Sequence, residues 1–116
     1  MGSTRRQYLE TKEARRTDRY VQFALASAPL AWADAATPEI VSERGGCIFG
    51  TGIGGIQTLL TQHSVLLEKG PGRVSPFMVP MLMANAAAGH IAMRYGLTGP
   101  QHGHALRVRV IEHRDR

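Results

Sequence analysis

The chain has 116 residues, enough for one small domain, and its 43% hydrophobic and 20% charged content is unlike that of a disordered segment. Only 6% of the residues are aromatic, so a core would consist of Ala, Val, Ile, Leu and Met. The net charge is +5, but the basic residues cluster at the two ends without interleaved aromatic residues, which argues against nucleic-acid binding.

The cysteine content and the apolar runs restrict the class of protein further. A single cysteine, Cys47, excludes an intramolecular disulfide and a zinc site built from cysteines. The N-terminus is polar and charged, unlike a signal peptide, and no apolar run approaches the ~20 residues of a membrane span. The sequence therefore predicts a cytoplasmic protein without a membrane span.

The first predicted element is a helix from Thr11 to about Ala36. Pro29 conflicts with it, because proline lacks an amide hydrogen and clashes with the preceding turn, so we expect a kink or a local irregularity there. One apolar stripe follows the helical period at spacings of four, three and four residues: Val21, Leu25, Ala28 and Trp32.

Two shorter elements follow. The apolar run GCIFG at Gly46–Gly50 predicts a buried strand. A second helix is predicted from Gly54 to Glu68, where the glycines and proline of KGPG end it.

The third predicted helix runs from Pro80 to Tyr95, with Gly96 as its C-cap. The helix itself carries small or apolar side chains on nearly all of its sides, which is typical of a buried helix. So short a chain offers little to cover it, so the pattern indicates part of a larger protein or an obligate partner. The alternation at Ala105–Ile111 then predicts an edge strand.

A glycine-rich turn, GTGIGG, lies between the predicted strand and the second helix. It contains the GxGxxG pattern of dinucleotide-binding turns, in which backbone amides at a helix N-terminus face a pyrophosphate. A second strand ending in Asp or Glu about twenty residues later is lacking, so nucleotide binding remains an alternative. The glycines of this turn are Gly50, Gly52, Gly54 and Gly55.

The remaining candidates for chemistry have simpler interpretations. Cys47 within an apolar strand is typical of an inert thiol, and His90 within a helix is typical of a packed side chain. The His102-x-His104 pair and His113 suggest a metal site, but no third ligand has a fixed spacing to them. We therefore predict no catalytic residue, no metal site and no cofactor.

The segment KGPGRVSPFMVPMLMANAAAGHIAMRYGLTGP at 69–100, together with GTGIGG, resembles the β-ketoacyl-[acyl-carrier-protein] synthases, and most of all synthase II. The resemblance covers about Tyr8 to Pro100. It implies an α/β fold that is part of the thiolase-like ketosynthase fold, with about three helices and one or two strands in an incomplete layer. Residues 1–100 would then be a fragment of the N-terminal domain, and 101–116 a basic tail foreign to the family.

In the family this sequence resembles, a cysteine accepts an acyl group and two histidines drive decarboxylation of a malonyl unit. The product is a chain two carbons longer, in fatty-acid or polyketide synthesis. That cysteine follows GLTGP within about ten residues, a position that falls here near Val108, which has no nucleophilic atom. The catalytic histidines come later than any position in this chain. The resemblance therefore predicts that the chain alone is inactive.

The resemblance also implies roles for apolar residues and for partners. Ile53 corresponds to a gate of the acyl pocket, and Phe77 and Met78 to a pair that reaches across a dimer interface near the glycine turn. The implied partners are an acyl carrier protein and a second ketosynthase protomer. Two other hypotheses stay open: a non-catalytic protein that docks on an intact ketosynthase, and a nucleotide-binding module. Out-of-frame translation remains one explanation of the tail.

Overall fold

The computed structural model describes residues 9–105, with side chains through residue 103. This part of the chain has a mixed α/β fold, as predicted, with five α-helices rather than three. The elements in chain order are α1 (Thr11–Arg15), α2 (Arg19–Asp34), β1 (Cys47–Thr51), α3 (Ile56–Lys69), α4 (Met78–Leu82), α5 (Ala86–Tyr95) and β2 (Gln101–Ala105), with 3₁₀ turns at Ser42–Arg44 and Pro71–Arg73.

The single helix predicted from Thr11 to about Ala36 is wrong, because the chain breaks before Arg19. Asp18 has an extended backbone (φ −71°, ψ 163°), and its carboxylate accepts a hydrogen bond from the Tyr20 amide at 3.4 Å. An aspartate in this position satisfies an amide at a helix N-terminus. α2 then continues through Pro29 to Asp34 without interruption.

The predicted apolar stripe of α2 forms one side of the core. Val21 and Leu25 are fully buried, and Trp32 stacks on Tyr95 with ring centres 4.7 Å apart. α2 packs against α5, and the residues that form the buried cluster are Leu9, Val21, Ala24, Leu25, Ala87 and Ile91. This core is small, as the low aromatic content predicted.

The single helix predicted from Pro80 to Tyr95 is also wrong, because it divides into α4 and α5. Met83 turns to an extended conformation (φ −60°, ψ 133°), and the Tyr20 hydroxyl donates a hydrogen bond to its carbonyl. Nothing in the local sequence requires this break, which tertiary contacts hold in place. The predicted C-cap is confirmed: Gly96 is left-handed, with φ 64° and ψ 33°.

The two strands form a parallel sheet whose register pairs Cys47 with Gln101 and Thr51 with Ala105. The prediction of a buried strand is wrong for the described part of the chain, since Ile48 is 71% exposed and the strand alternates between half-buried and exposed residues. Of the edge strand predicted at 105–111, only Ala105 lies within the described residues, as the last residue of β2. No helix within residues 9–105 is long and apolar enough to cross a membrane.

Candidate functional site

The glycine turn between β1 and α3 packs tightly against the C-terminal end of α4. Gly54 has a φ of +78°, and its amide donates to the Thr51 hydroxyl at 3.1 Å. The Gly55 amide donates to the Leu82 carbonyl at 3.0 Å. A Cβ on Gly54 would lie 2.6 Å from that carbonyl oxygen, so a larger residue would push the two backbones apart. The glycines therefore allow a close backbone approach.

These contacts bear on the nucleotide hypothesis. The strand–turn–helix context that the motif requires is present, because β1 ends at Thr51 and α3 begins at Ile56. A pyrophosphate, however, binds to amides that have no protein partner. The amides of Gly54 and Gly55 already bond to Thr51 and Leu82, and the Ile56 amide lies 3.0 Å from the Gly54 carbonyl. The turn thus functions as a packing element in this structure.

The three apolar residues predicted for the acyl pocket or dimer interface do not form one cluster around this turn. Ile53 lies in the turn and is 65% exposed. Phe77 and Met78 lie at the opposite, N-terminal end of α4, where Phe77 is the N-cap residue and is 42% exposed. Their role in an acyl pocket or a dimer stays a prediction.

The structure places Phe77 in a contact that the sequence did not indicate. The guanidinium carbon of Arg16 lies 4.8 Å from the centre of the Phe77 ring, a distance typical of a cation–π interaction. A second pair, Arg19 over Phe23 at 5.0 Å, lies within α2. The Arg19 pair follows the i,i+4 spacing of a helix and could have been found in the sequence. The Arg16 pair joins distant segments and could not.

The exposed basic residues around α1 form a positive surface. Two of the three nearby acidic residues have internal partners: both oxygens of Glu13 lie 2.7 Å from Arg94, and Asp18 is only 4% exposed. The remaining acidic residue, Glu10, is exposed. We call the three exposed basic side chains the basic corner: Lys12, Arg15 and Arg16.

Beside the basic corner, Asp18 holds together a polar cluster at the start of α2 and α3. Its carboxylate accepts hydrogen bonds from the Thr58 amide at 2.8 Å and the Thr58 hydroxyl at 2.6 Å. The buried Gln22 amide donates to the carbonyls of Ala14 and Thr17. This cluster borders an open cleft of about 230 Å³. The sequence analysis did not predict this cluster, because Asp18 and Thr58 are forty residues apart in the chain.

The other candidate residues are separate from one another. Cys47 is half-buried, and burial raises the pKa of its thiol, which disfavours the reactive thiolate. His63 is exposed on α3, and His90 is half-buried in α5. Among the described side chains, those of residues 9–103, no three His, Cys, Asp or Glu side chains are grouped to hold a metal ion. The side chains of His104 and His113, and all of Val108, lie outside the described structure.

A glycine turn fixed against a neighbouring helix, beside a parallel strand pair, is a structural unit of the α/β class of folds. Comparison with known proteins identifies the family. Residues 6–104 match the sequence model of the β-ketoacyl synthase N-terminal domain. The chain is 45% identical over 96 residues to 3-oxoacyl-[acyl-carrier-protein] synthase 2 of Synechocystis, and 43% identical over 95 residues to the synthase 2 of Staphylococcus aureus. The chain belongs to the β-ketoacyl synthase family.

The coverage differs greatly between this chain and its relatives. The alignments include 81% and 80% of this chain but only 23% and 24% of the two relatives, so it spans about a quarter of their length. A ketosynthase of a type II polyketide synthase, solved in complex with its acyl-carrier protein, has a TM-score of 0.71 with 19% identity. That alignment covers 78% of this chain and 26% of the other. It supports the thiolase-like fold, and the predicted membership of the synthase family is confirmed.

Proposed function

We propose that the chain supplies part of the N-terminal scaffold of a β-ketoacyl-[acyl-carrier-protein] synthase. The observation that carries this proposal is the β1–glycine turn–α3 unit, locked onto α4 and paired in parallel with β2, within the matched range 6–104. The whole enzyme would condense an acyl thioester with a malonyl-carrier protein, releasing carbon dioxide, in fatty-acid or polyketide synthesis.

We expect the chain alone to lack the groups for this reaction. The family's nucleophile position falls near Val108, and the only thiol, Cys47, has a pKa raised by burial. We therefore expect the scaffold to contribute packing and partner contacts rather than acyl transfer. The domain boundary after Pro100 stays a prediction; the family match extends to residue 104, and β2 begins at Gln101, directly after the predicted boundary. A cytoplasmic location stays a prediction as well.

The basic corner is the proposed docking surface for the acyl carrier protein. Glu13 and Asp18 are occupied by Arg94 and Thr58, so the exposed charge around α1 is predominantly positive. A surface of this kind attracts an acidic partner and accelerates its association at low ionic strength. The ketosynthase of similar fold was solved with its acyl-carrier protein, which supports a carrier as that partner.

A second protomer is the other proposed partner. Large apolar side chains around the turn and α4 are exposed in the described residues, including Ile53 (65%), Val79 (62%) and Met83 (43%). Exposed apolar surface is favourable to bury in an interface.

The same exposed apolar surface favours the alternative that this chain docks on an intact ketosynthase without catalysing a reaction. Co-purification of a tagged chain with a full-length synthase, in the absence of condensing activity, would support that alternative.

The scaffold proposal is tested by exchange of segments. Residues 8–104 of this chain replace the matching segment of the Synechocystis synthase, and the Staphylococcus aureus segment serves as the control exchange. We expect the chimera to form β-ketoacyl product from acyl- and malonyl-carrier protein. A folded chimera without condensation, alongside an active control exchange, would contradict the proposal.

The nucleotide alternative predicts that NAD or ATP raises the Tm of the chain, since a ligand that binds only the folded state stabilises it.

A further inference from the structure

A stack of a guanidinium on an aromatic ring connects two distant parts of the chain at the basic corner. Arg16 is the C-cap residue of α1, and Phe77 is the N-cap residue of α4. Their contact measures 4.8 Å from the guanidinium carbon to the ring centre. The backbone is held on both sides, because the Arg16 amide donates to the Glu13 carbonyl at 3.1 Å and the Phe77 amide donates to the Ser75 hydroxyl at 3.2 Å. Arg16 is therefore restrained at its backbone and at its tip.

The geometry of a guanidinium makes this restraint useful for binding. Its five N–H donors lie in the plane of the group, so stacking on one face leaves the edges to form paired hydrogen bonds with a carboxylate. A free arginine side chain loses substantial rotamer freedom when it binds, whereas a stacked one has lost part of it beforehand. The Phe77 ring thus prepares Arg16 for a carboxylate partner.

We propose that Phe77 is a positioning residue that holds Arg16 ready for a carboxylate on an acidic face of the acyl carrier protein. This inference rests on the proposed docking of the carrier at the basic corner. It gives Phe77 a role in partner recognition that is distinct from the acyl-pocket or dimer role predicted from the resemblance.

The stack affects dissociation more than association. Long-range attraction depends on the total charge of the basic corner, which a change at Phe77 leaves intact. An exposed cation–π contact corresponds to about a two- to fivefold change in affinity. Removal of the ring should therefore raise the dissociation rate by that factor and leave the association rate and its salt dependence unchanged.

The test measures binding of the complete chain to a purified bacterial acyl carrier protein by biolayer interferometry. Phe77→Leu should raise the dissociation rate about two- to fivefold, and Phe77→Trp, with a stronger aromatic face, should restore it. Phe23→Leu is the matched control, because it removes the ring beneath Arg19, which is half-buried and lies outside the basic corner; we expect no change from it. In an Arg16→Gln background, Phe77→Leu should have no further effect. Circular dichroism verifies that each variant is folded.

The outcomes separate this inference from the function on which it rests. If the wild-type chain does not bind the carrier, the docking proposal fails and the inference fails with it. If the wild type binds but Phe77→Leu matches it, only the role of Phe77 is overturned. Equal rises of the dissociation rate in Phe77→Leu and Phe23→Leu also overturn the role of Phe77. So does a Phe77→Leu effect that is undiminished in the Arg16→Gln background.

NMR tests the stack directly: the Arg16 Cδ protons should show an upfield ring-current shift that Phe77→Leu abolishes.

Discussion

Asp18 and Thr58 join the starts of two helices through one carboxylate oxygen. Asp18 Oδ2 accepts hydrogen bonds from both the amide and the hydroxyl of Thr58, at 2.8 and 2.6 Å. Both residues are buried, with 4% and 7% of their surfaces exposed. Because Asp18 also precedes α2 as its N-cap, this pair fixes the orientation of α2 relative to α3.

Loss of this carboxylate should destabilise the fold strongly. Asp18→Ala leaves a buried hydroxyl and a buried amide unpaired and removes a helix cap, so we expect the free energy of unfolding to fall by about 3 kcal/mol. Thr58→Ser should be close to neutral because it keeps both donors. Urea titration followed by circular dichroism measures the effect. Thr61, an exposed residue on the same helix α3 as the buried Thr58, supplies the control variant Thr61→Ala. If Asp18→Ala lowers the free energy of unfolding by less than Thr61→Ala does, the structural role of Asp18 is contradicted.

The glycine turn should tolerate substitution at one glycine and reject it at another. A Cβ on Gly55 would lie 2.5 Å from the Leu82 Cα, whereas a Cβ on Gly52 would have no heavy atom within 4 Å. We expect Gly55→Ala to lower the free energy of unfolding by about 2 kcal/mol, as overpacking does. Gly52→Ala, the control, should leave it nearly unchanged. Equal effects in denaturant titration would show that the turn does not pack on α4.

Tyr20 should make stability depend on alkaline pH. Burial raises the pKa of its phenol above the ordinary value of 10.0, and its hydroxyl donates to the Met83 carbonyl. Since the folded state holds this proton more tightly than the unfolded state, the extra stability is present below pH 10 and is lost as the pH rises through the raised pKa.

The matched variant for this pH effect is Tyr20→Phe. It should lower the free energy of unfolding by about 1 kcal/mol at neutral pH, because the Met83 carbonyl loses its donor. It should also lose less stability than the wild type between pH 9 and about 11.5 in the urea midpoints. An identical alkaline decline in both proteins would rule out Tyr20 as its source.

The sequence predicted those features that depend on local chemistry. The stripe of Val21 and Leu25, the strand–turn–helix order at GTGIGG and the C-cap at Gly96 all follow from spacing or from glycine conformation. The family also followed from motifs in a fixed order. The structural features that the sequence did not predict depend on contacts between residues far apart in the chain.

Both helix breaks illustrate that limit. The Asp18 break is maintained by a bond to Thr58, forty residues later, and the Met83 break by a contact with Tyr20. The Arg16–Phe77 stack is equally non-local. The exposure of Ile48 was missed for a different reason: an apolar strand predicts burial, and the described residues contain only one strand beside it.

The most direct test of the account asks whether the chain alone can accept an acyl group. The purified chain is incubated with octanoyl-acyl carrier protein, malonyl-carrier protein is added, and intact-mass spectrometry follows both proteins, with the Synechocystis synthase as the positive control. We predict no mass increase of the chain and no β-ketoacyl product, because Cys47 is its only thiol and burial raises that thiol's pKa. An octanoyl adduct on Cys47 accompanied by a two-carbon-longer product would contradict the account.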